Sequence, residues 1–470
     1  MTALTDARRG QRSLGPLPSD LPTVERRAII PGGFVAASGT AGIKASGRPD
    51  LAIVATSVGP DGRRSPAAAA AVFTPNAFAA APVRLSQAHL LATQPDGKGR
   101  SGWATGIVST SGCANAATGA AGDADQAEVA ELLASAIGGS VDHTLLLSTG
   151  IIGTRLPLDK VEAGIAAVAP SLAAKDDALA GVAEALRTTD TRPKVASVAI
   201  TLPDPDGLAV RSVRVTGVAK GVGMIHPRMA TMLSIVLTDA ATDPATLASL
   251  LRPAAARTWN QLSVDGDTST NDTVFVLASG ASGATPVAAG TRHAIEVGRA
   301  IEAVARDLAR QQAADGEGAM TLITCQVSGA VDAADARAVA RAVVSSSLVK
   351  TAVHGRDPNW GRIAGAAGNA LLAEEPVLIA AGLSPAAARD RSGSAVHVDP
   401  DRLRIAIGPE LVFDGAAGGP IAFDRAAARA AMDMPELLIR LDLGLGDGVG
   451  EAFGCDLTEE YVRENSEYTT

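Results

Sequence analysis

At 470 residues the chain is long enough for two or three domains, and with 47% hydrophobic but only 3% aromatic residues its cores must be built from Ala, Val, Leu and Ile. A net charge of −9 with no compensating basic cluster argues against a nucleic-acid partner, and every apolar stretch is broken well short of the roughly 20 residues that span a bilayer. Cys113, Cys325 and Cys455 are too few and too scattered for a disulfide framework or a zinc site, and read as buried thiols in a reducing compartment.

Residues 1–27 mix Arg, Asp, Pro, Ser and Gly without periodicity and lack the apolar core of a secretory signal. They read as a disordered tail. Arg8, Arg9 and Arg12 would suit a transit peptide, but Asp6, Asp20 and Glu25 count against one, so a cytoplasmic chain is expected. In chain order the patterns then predict a strand over 51–56, a helix over 126–137, a strand-like run at 144–147 and helices over 160–169 and 176–187. Strands follow over 194–202 and 209–216, joined as a hairpin by the turn Leu202-Pro-Asp-Pro-Asp-Gly207. A strand over 273–277, a helix over 293–312, a strand over 322–327 and a helix over 333–344 complete the series. No repeat of fixed period is evident. The mixture is a layered α/β or α+β protein, and local patterns do not choose between these.

The most informative stretch is Lys220-Gly-Val-Gly-Met-Ile-His-Pro-Arg-Met-Ala-Thr231-Met-Leu. If the backbone is cut between Ala230 and Thr231, the threonine gains a free α-amine of pKa roughly 7.7–8.0 beside its own hydroxyl. That amine can take the proton from Oγ, so one residue supplies both nucleophile and base. Taken alone, Ala–Thr is simply a small residue entering a buried strand. Ser148-Thr149-Gly150-Ile-Ile-Gly153 follows a strand-like run, and such a turn can aim a backbone N–H and a hydroxyl at one developing oxyanion, although most such turns are only turns. Lys220 offers an ammonium for a carboxylate, against the ordinary reading of a solvated lysine. In Asp315-Gly-Glu317-Gly-Ala319, after a helix and before a strand, Glu317 suits a substrate ammonium; the plain alternative is a helix C-terminal glycine among exposed acids. Arg187-Thr188-Thr189-Asp190-Thr191-Arg-Pro-Lys194 reads as a helix end and turn, and Asn465-Ser-Glu-Tyr-Thr-Thr470 as a frayed terminus. Asp265-Gly-Asp-Thr-Ser-Thr-Asn-Asp272 has the wrong spacing for a calcium loop.

From about Pro31 to Thr470 these segments, in this order, resemble the ornithine acetyltransferase family, the bifunctional glutamate N-acetyltransferases. The 220–233 stretch is similar to the family's self-cleavage pattern. The resemblance implies an αββα-type α+β fold cut into an α chain, residues 28–230 behind the tail, and a β chain, residues 231–470, pairing as α2β2. It implies Thr231 as nucleophile, Ala230 and Thr231 as the cleavage pair, and Thr149 and Gly150 as oxyanion donors. Thr188 (with Thr189 a close rival), Lys220, Glu317, Asn465 and Thr470 would bind substrate. The implied reaction moves acetyl from N2-acetyl-ornithine to glutamate through an acetyl-threonine, in arginine biosynthesis, without metal or redox cofactor; acetyl-CoA stays open as a co-substrate. The segments around 353–362 and 454–458 also look like family segments and are expected as scaffold. This chain departs from the pattern at Thr110, Cys113 and Arg228, where the family usually has Asn, and at Met320-Thr321, where Thr-Lys is usual. Two alternatives remain: a related acyltransferase or amidohydrolase of a secondary-metabolite pathway such as clavulanic acid biosynthesis, whose branch shares these motifs, and a catalytically silent binding protein.

Overall fold

The computed structural model describes residues 19–95, 98–226 and 232–466. The chain first forms β1 (Phe34–Gly39), β2 (Leu51–Thr56), β3 (Ala67–Phe73), helix α1 (Ala81–Thr93), β4 (Ser101–Ala104), β5 (Gly106–Cys113), α2 (Gly119–Ile137) and β6 (Thr144–Ile151). Next come α3 (Leu158–Val168), α4 (Asp176–Leu186), β7 (Lys194–Pro203), β8 (Val210–Lys220), β9 (Leu233–Thr238), α5 (Pro244–Arg257), β10 (Leu262–Ser263), β11 (Thr273–Ala278) and α6 (Arg292–Ala314). After β12 (Leu322–Ala330) lie α7 (Ala333–Ser345), α8 (Ser347–His354), α9 (Trp360–Gly368), α10 (Glu375–Ala380) and α11 (Pro385–Arg391). The final elements are β13 (Arg404–Ile407), β14 (Glu410–Asp414), β15 (Gly419–Pro420), α12 (Arg425–Met432), β16 (Glu436–Asp442), β17 (Gly448–Cys455) and α13 (Glu459–Ser466).

The strands pair in three sheets of order β1-β2-β5-β6, β4-β3-β11-β9-β8-β7 and β10-β17-β12-β16-β13-β14-β15. Successive strand residues point to opposite faces, which stacks the first two sheets. Ala52 and Val54 of β2 share a core with Phe275 and Leu277 of β11. On the far side of the first sheet, Leu51 and Ile53 meet Val129 of α2 and Ile165 of α3. On the far side of the second, Val274 and Val276 meet Leu251 of α5 and Ile301 of α6. The molecule is thus an α+β protein with αββα layering. The third sheet has its own core under α7 to α9, and α6 links it to the layered body through Arg306, which pairs with Glu451 and lies over the Phe453 ring.

The middle sheet draws β3, β4, β7 and β8 from before residue 231 and β9 and β11 from after it. Neither half can complete that sheet alone. Strand β3, Ala-Ala-Ala-Ala-Ala-Val-Phe, has the composition of a helix and was not among the expected strands. It is a strand because it lies between β11 and β4 with Ala68 and Ala70 on one core and Ala69 and Ala71 on the other, where small side chains let both layers approach. Within the stretch read as a tail, Glu25 exchanges backbone hydrogen bonds with Ser197, and Arg26 pairs with Asp307 at 2.9 Å. Among the described residues no helix is long and apolar enough to cross a membrane.

Candidate active site

A cavity of about 290 Å³ opens where β6 and β8 end and β11 begins. Thr149 and Gly150 form one wall, from the last turn of β6. Gly150 has φ +130°, and a Cβ there would run into the Gly112 carbonyl and sit 2.6 Å from the Cys113 nitrogen, at the bulge where β5 and β6 slip register. Only glycine lets the strand end curl in this way. Lys220, the last residue of β8, donates from Nζ to Thr149 Oγ1 at 3.4 Å, placing a cation beside that hydroxyl.

Glu317 faces them from the turn after α6. Its Oε1 accepts from Thr189 Oγ1 and its Oε2 from Asn465 Nδ2, both at 2.9 Å. Asn465 arrives on the C-terminal helix α13, so the end of the chain returns to this wall. Gly223 leaves room for the carboxylate, since a Cβ there would lie 2.5 Å from Glu317 Cδ. Thr188 also lines the cavity, so both rival threonines reach it, but the contact to Glu317 comes from Thr189.

The expected residues Thr149, Gly150, Thr188, Lys220, Glu317 and Asn465 therefore meet in one cavity. Ala230, Thr231, Arg228 and Thr470 lie outside the described residues. Thr110 and Cys113 do not line the cavity: Thr110 Oγ1 bonds Ser148 Oγ at 2.9 Å behind the wall, and Cys113 is buried against Thr154. Met320 and Thr321, which depart from the family pattern, do not line the cavity and donate their amides to Asp456 at 2.9 and 3.0 Å. The 454–458 segment thereby braces the Glu317 turn, with Thr458 Oγ1 donating to Gly318 O at 2.8 Å. Asp265 caps the amides of Met224 and Ile225 at 2.6 and 2.9 Å, and among the described residues no cluster of His, Cys, Asp and Glu could hold a metal ion.

Sequence reasoning passed over the groups that hold these walls. Lys194, 0% exposed, reaches Asp190 Oδ1 and Asp315 Oδ2, each at 2.6 Å. Asp190 also accepts the Gly221 N–H at 2.8 Å and the Thr188 N–H at 3.1 Å. Burial alone would push the Asp190 carboxyl up, but Lys194 and Lys220 hold it well below the usual carboxylate range. This buried cluster ties three cavity-lining turns together. All three residues stand inside motifs already singled out, but a helix-end lysine and two turn acids give no local sign that they meet. Asn271 was missed as well; its Nδ2 donates to Ala114 O at 2.6 Å and Ser148 O at 2.8 Å, fastening the start of β11 to the ends of β5 and β6. Beside it, Asp272 is 4% exposed and lines the cavity.

Residues 35–470 match the family model described as the ArgJ family. The chain belongs to the ArgJ family. A curated relative from Synechocystis, an arginine biosynthesis bifunctional protein ArgJ, is 41% identical over 461 residues, covering 96% of this chain and 100% of its own. The protein of the same description from Thermus thermophilus is 40% identical, covering 94% and 99%. A solved ArgJ structure from Bacillus halodurans is 37% identical, covers 50% of this chain and 99% of its own, and aligns with a TM-score of 0.43. An ornithine acetyltransferase complexed with ornithine from Mycobacterium tuberculosis is also 37% identical, covering 44% and 100% with a TM-score of 0.37. As an ArgJ protein the chain is an N-acyltransferase that acts on small molecules, the glutamate N-acetyltransferase of the arginine-biosynthetic acetyl cycle. The secondary-metabolite and silent-binder alternatives are not favoured by these relatives.

Proposed function

We propose that this ArgJ protein transfers acetyl from N2-acetyl-ornithine to glutamate by a ping-pong route through Thr231, after cutting itself between Ala230 and Thr231 into chains of residues 1–230 (the 28–230 α chain with its tail) and 231–470. The observation that carries this is the convergence of Thr149, Gly150, Lys220, Glu317 and Asn465 on one cavity that Met232 also lines. Thr231 is the residue next to Met232 in the chain.

Once the amine of Thr231 is free it accepts the Oγ proton, and Oγ attacks the acetyl carbonyl. Thr149 Oγ1 and the Gly150 N–H face the developing oxyanion, and the Lys220 ammonium beside Thr149 adds to its stabilisation. Ornithine leaves with the proton, and glutamate enters and takes the acetyl group by the reverse steps. Glu317, steadied by Thr189 and Asn465, binds the side-chain ammonium of acetyl-ornithine, with Thr188 and Thr470 completing the substrate contacts. Donor and acceptor thus use one pocket in succession. The route needs neither metal nor redox group, and acetyl-CoA, where it serves as donor, would load the same threonine. The working enzyme is a cytoplasmic α2β2 assembly.

The test is the intact mass of the 231–470 chain after mixing with N2-acetyl-ornithine alone. One added acetyl group, cleared by glutamate, is expected. Release of ornithine only when glutamate is present, with no acetylated chain trapped, would show direct transfer instead.

A further inference from the structure

An oxyanion site stabilises charge only if its donors are held in place before the charge develops. The turn that carries Thr149 and Gly150 has little of its own to hold it. Gly150 takes φ +130°, a conformation that glycine enters without resistance and leaves as readily. Strands β5 and β6 slip register at that point, so their ladder is broken where support is needed. Lys220 reaches the Thr149 hydroxyl at 3.4 Å from the end of a long side chain. The two donors have to be fixed through the residues on either side of them.

Asn271 does this from the start of β11. Its Nδ2 donates one hydrogen to Ser148 O at 2.8 Å, the carbonyl just before Thr149, and the other to Ala114 O at 2.6 Å. The Ala114 N–H in turn donates to Ile151 O at 3.0 Å, just after Gly150. One amide thus brackets the two-residue segment, directly on one side and through Ala114 on the other. Its orientation is settled, because Oδ1 accepts from Thr270 Oγ1 at 2.6 Å and turning the amide over would set an oxygen against two carbonyls. Asn271, Ser148 and Ala114 are all buried. Asn271 is itself held, since its N–H donates to Ser269 Oγ at 3.2 Å and its carbonyl accepts from Thr273 Oγ1 at 3.0 Å. The strand that follows it lies between β3 and β9.

We propose that Asn271 is the positioning residue of the oxyanion site, setting the spacing between the Thr149 hydroxyl and the Gly150 N–H. Asn271 lines the cavity, but both of its amide hydrogens are spent on carbonyls, so it has no donor to offer a substrate. Its influence reaches the reaction only through Thr149 and Gly150. Those donors must stand about 2.7–3.1 Å from the oxygen of the tetrahedral intermediate, and a small shift of the turn spoils that distance. The bound substrate is held from the opposite wall by Glu317, which makes no contact with Asn271. Loss of the bracket should therefore appear in turnover and leave substrate affinity alone. Asn271 follows residue 231 and the turn precedes it, so the oxyanion site is fixed only when the two proposed chains are paired.

This inference rests on Thr149 and Gly150 being the oxyanion donors, and the test separates the two. Asn271→Asp, Thr149→Ala and the double variant are compared as processed enzymes, with sites counted by ornithine binding. Asn271→Asp keeps the shape but turns an oxygen toward both carbonyls. Its kcat should fall about 10²-fold, the lower end of the range for losing an oxyanion donor, with KM for acetyl-ornithine within about twofold. In the Thr149→Ala background the same change should cost less than about tenfold more, because one of the donors it aligns is already gone. A general structural fault would instead multiply in full. Should the aspartate chain fail to fold or to be cut, Asn271→Ser keeps one donor of the two, and its kcat should fall about tenfold at unchanged KM. A kcat within twofold of native, a KM that rises as far as kcat falls, or losses that multiply in full would each overturn the proposal. If Thr149→Ala turns over at the native rate, the oxyanion reading of this wall falls. If Thr149→Ala is slow while the Asn271 variants are native-like, only the role of Asn271 falls.

Discussion

Asp190, behind the cavity wall, and Asp272, which lines the cavity, are buried carboxyl groups held in contrary ways. Asp190 has Lys194 at 2.6 Å and two backbone N–H donors, and it shares that lysine with Asp315. Asp272 has no ion pair among the described residues and one oxygen without a partner. Lys194 and Lys220 hold the first well below the usual carboxylate range, whereas burial pushes the second well above it. A charge fully matched in the interior ties chain segments in place. A buried carboxyl without an ion pair is pushed toward its neutral form.

The sharpest way to break this contrast is to take away the shared cation. Lys194→Met leaves Asp190 and Asp315 buried without their partner, a change that typically costs about 3–5 kcal/mol. Since three cavity turns hang on that cluster, both thermal stability and ornithine binding should fall together. A melting temperature within a degree or two of the native chain would show that the cluster does not brace the site.

Thr149→Ala should behave in the opposite manner. The hydroxyl sits on the wall without holding it, so stability and acetyl-ornithine affinity should stay near native while turnover drops about 10²–10³-fold. Turnover within twofold of native would remove Thr149 from the oxyanion site.

Some of this architecture was legible beforehand and some was not. The strand expected at 273–277 is Thr273–Ala278, and the helix expected at 293–312 is Arg292–Ala314, because their apolar periodicity is strong and local. Helix α5 was not read, having Pro253 in its interior, although Asp243 caps its first turn with 2.9 Å to the Thr246 N–H. The motifs at 149–150, 188, 220, 317 and 465 were found through the family resemblance, because on local pattern alone they read as a turn, a helix end, a solvated lysine, exposed acids and a frayed terminus, and the cavity unites them. What could not be read is partnership across distance. Lys194 and Asp315 are 121 residues apart, and nothing in either segment says that the other completes it. That one oxygen of Asp272 has no partner among the described residues is equally silent, since such a lack has no sequence pattern.

The two carboxyls should also respond oppositely to pH. Asp190, with its folded pKa depressed, contributes stability above the unfolded value of about 3.9, lost only as pH falls through the lower folded value. Asp272, with its folded pKa raised, contributes stability below about 3.9 that is lost as pH rises toward the folded value. Asp272→Asn should therefore gain on the native residue as pH climbs above 4, by up to about 1.4 kcal/mol for each pH unit within that window. The comparison is best made by melting both in a Thr231→Ala background, where neither chain is cut. A difference that stays flat from pH 4 to 7 would mean that Asp272 is ionised in the folded chain.

The smallest expected effect distinguishes the neighbouring threonines that Asp190 positions. Thr189 Oγ1 reaches Glu317, whereas Thr188 lines the cavity with its N–H fixed by Asp190. Thr189 should then act on substrate only through Glu317. Losing its hydroxyl removes one hydrogen bond, roughly 1 kcal/mol, so Thr189→Val should raise KM about fivefold and leave kcat within twofold. In a Glu317→Gln background the same change should cost little more, because the carboxylate it steadied is gone. Thr188→Val in that background should still add its own full penalty if Thr188 touches substrate directly. Additive losses for Thr189 and none for Thr188 would exchange the two roles.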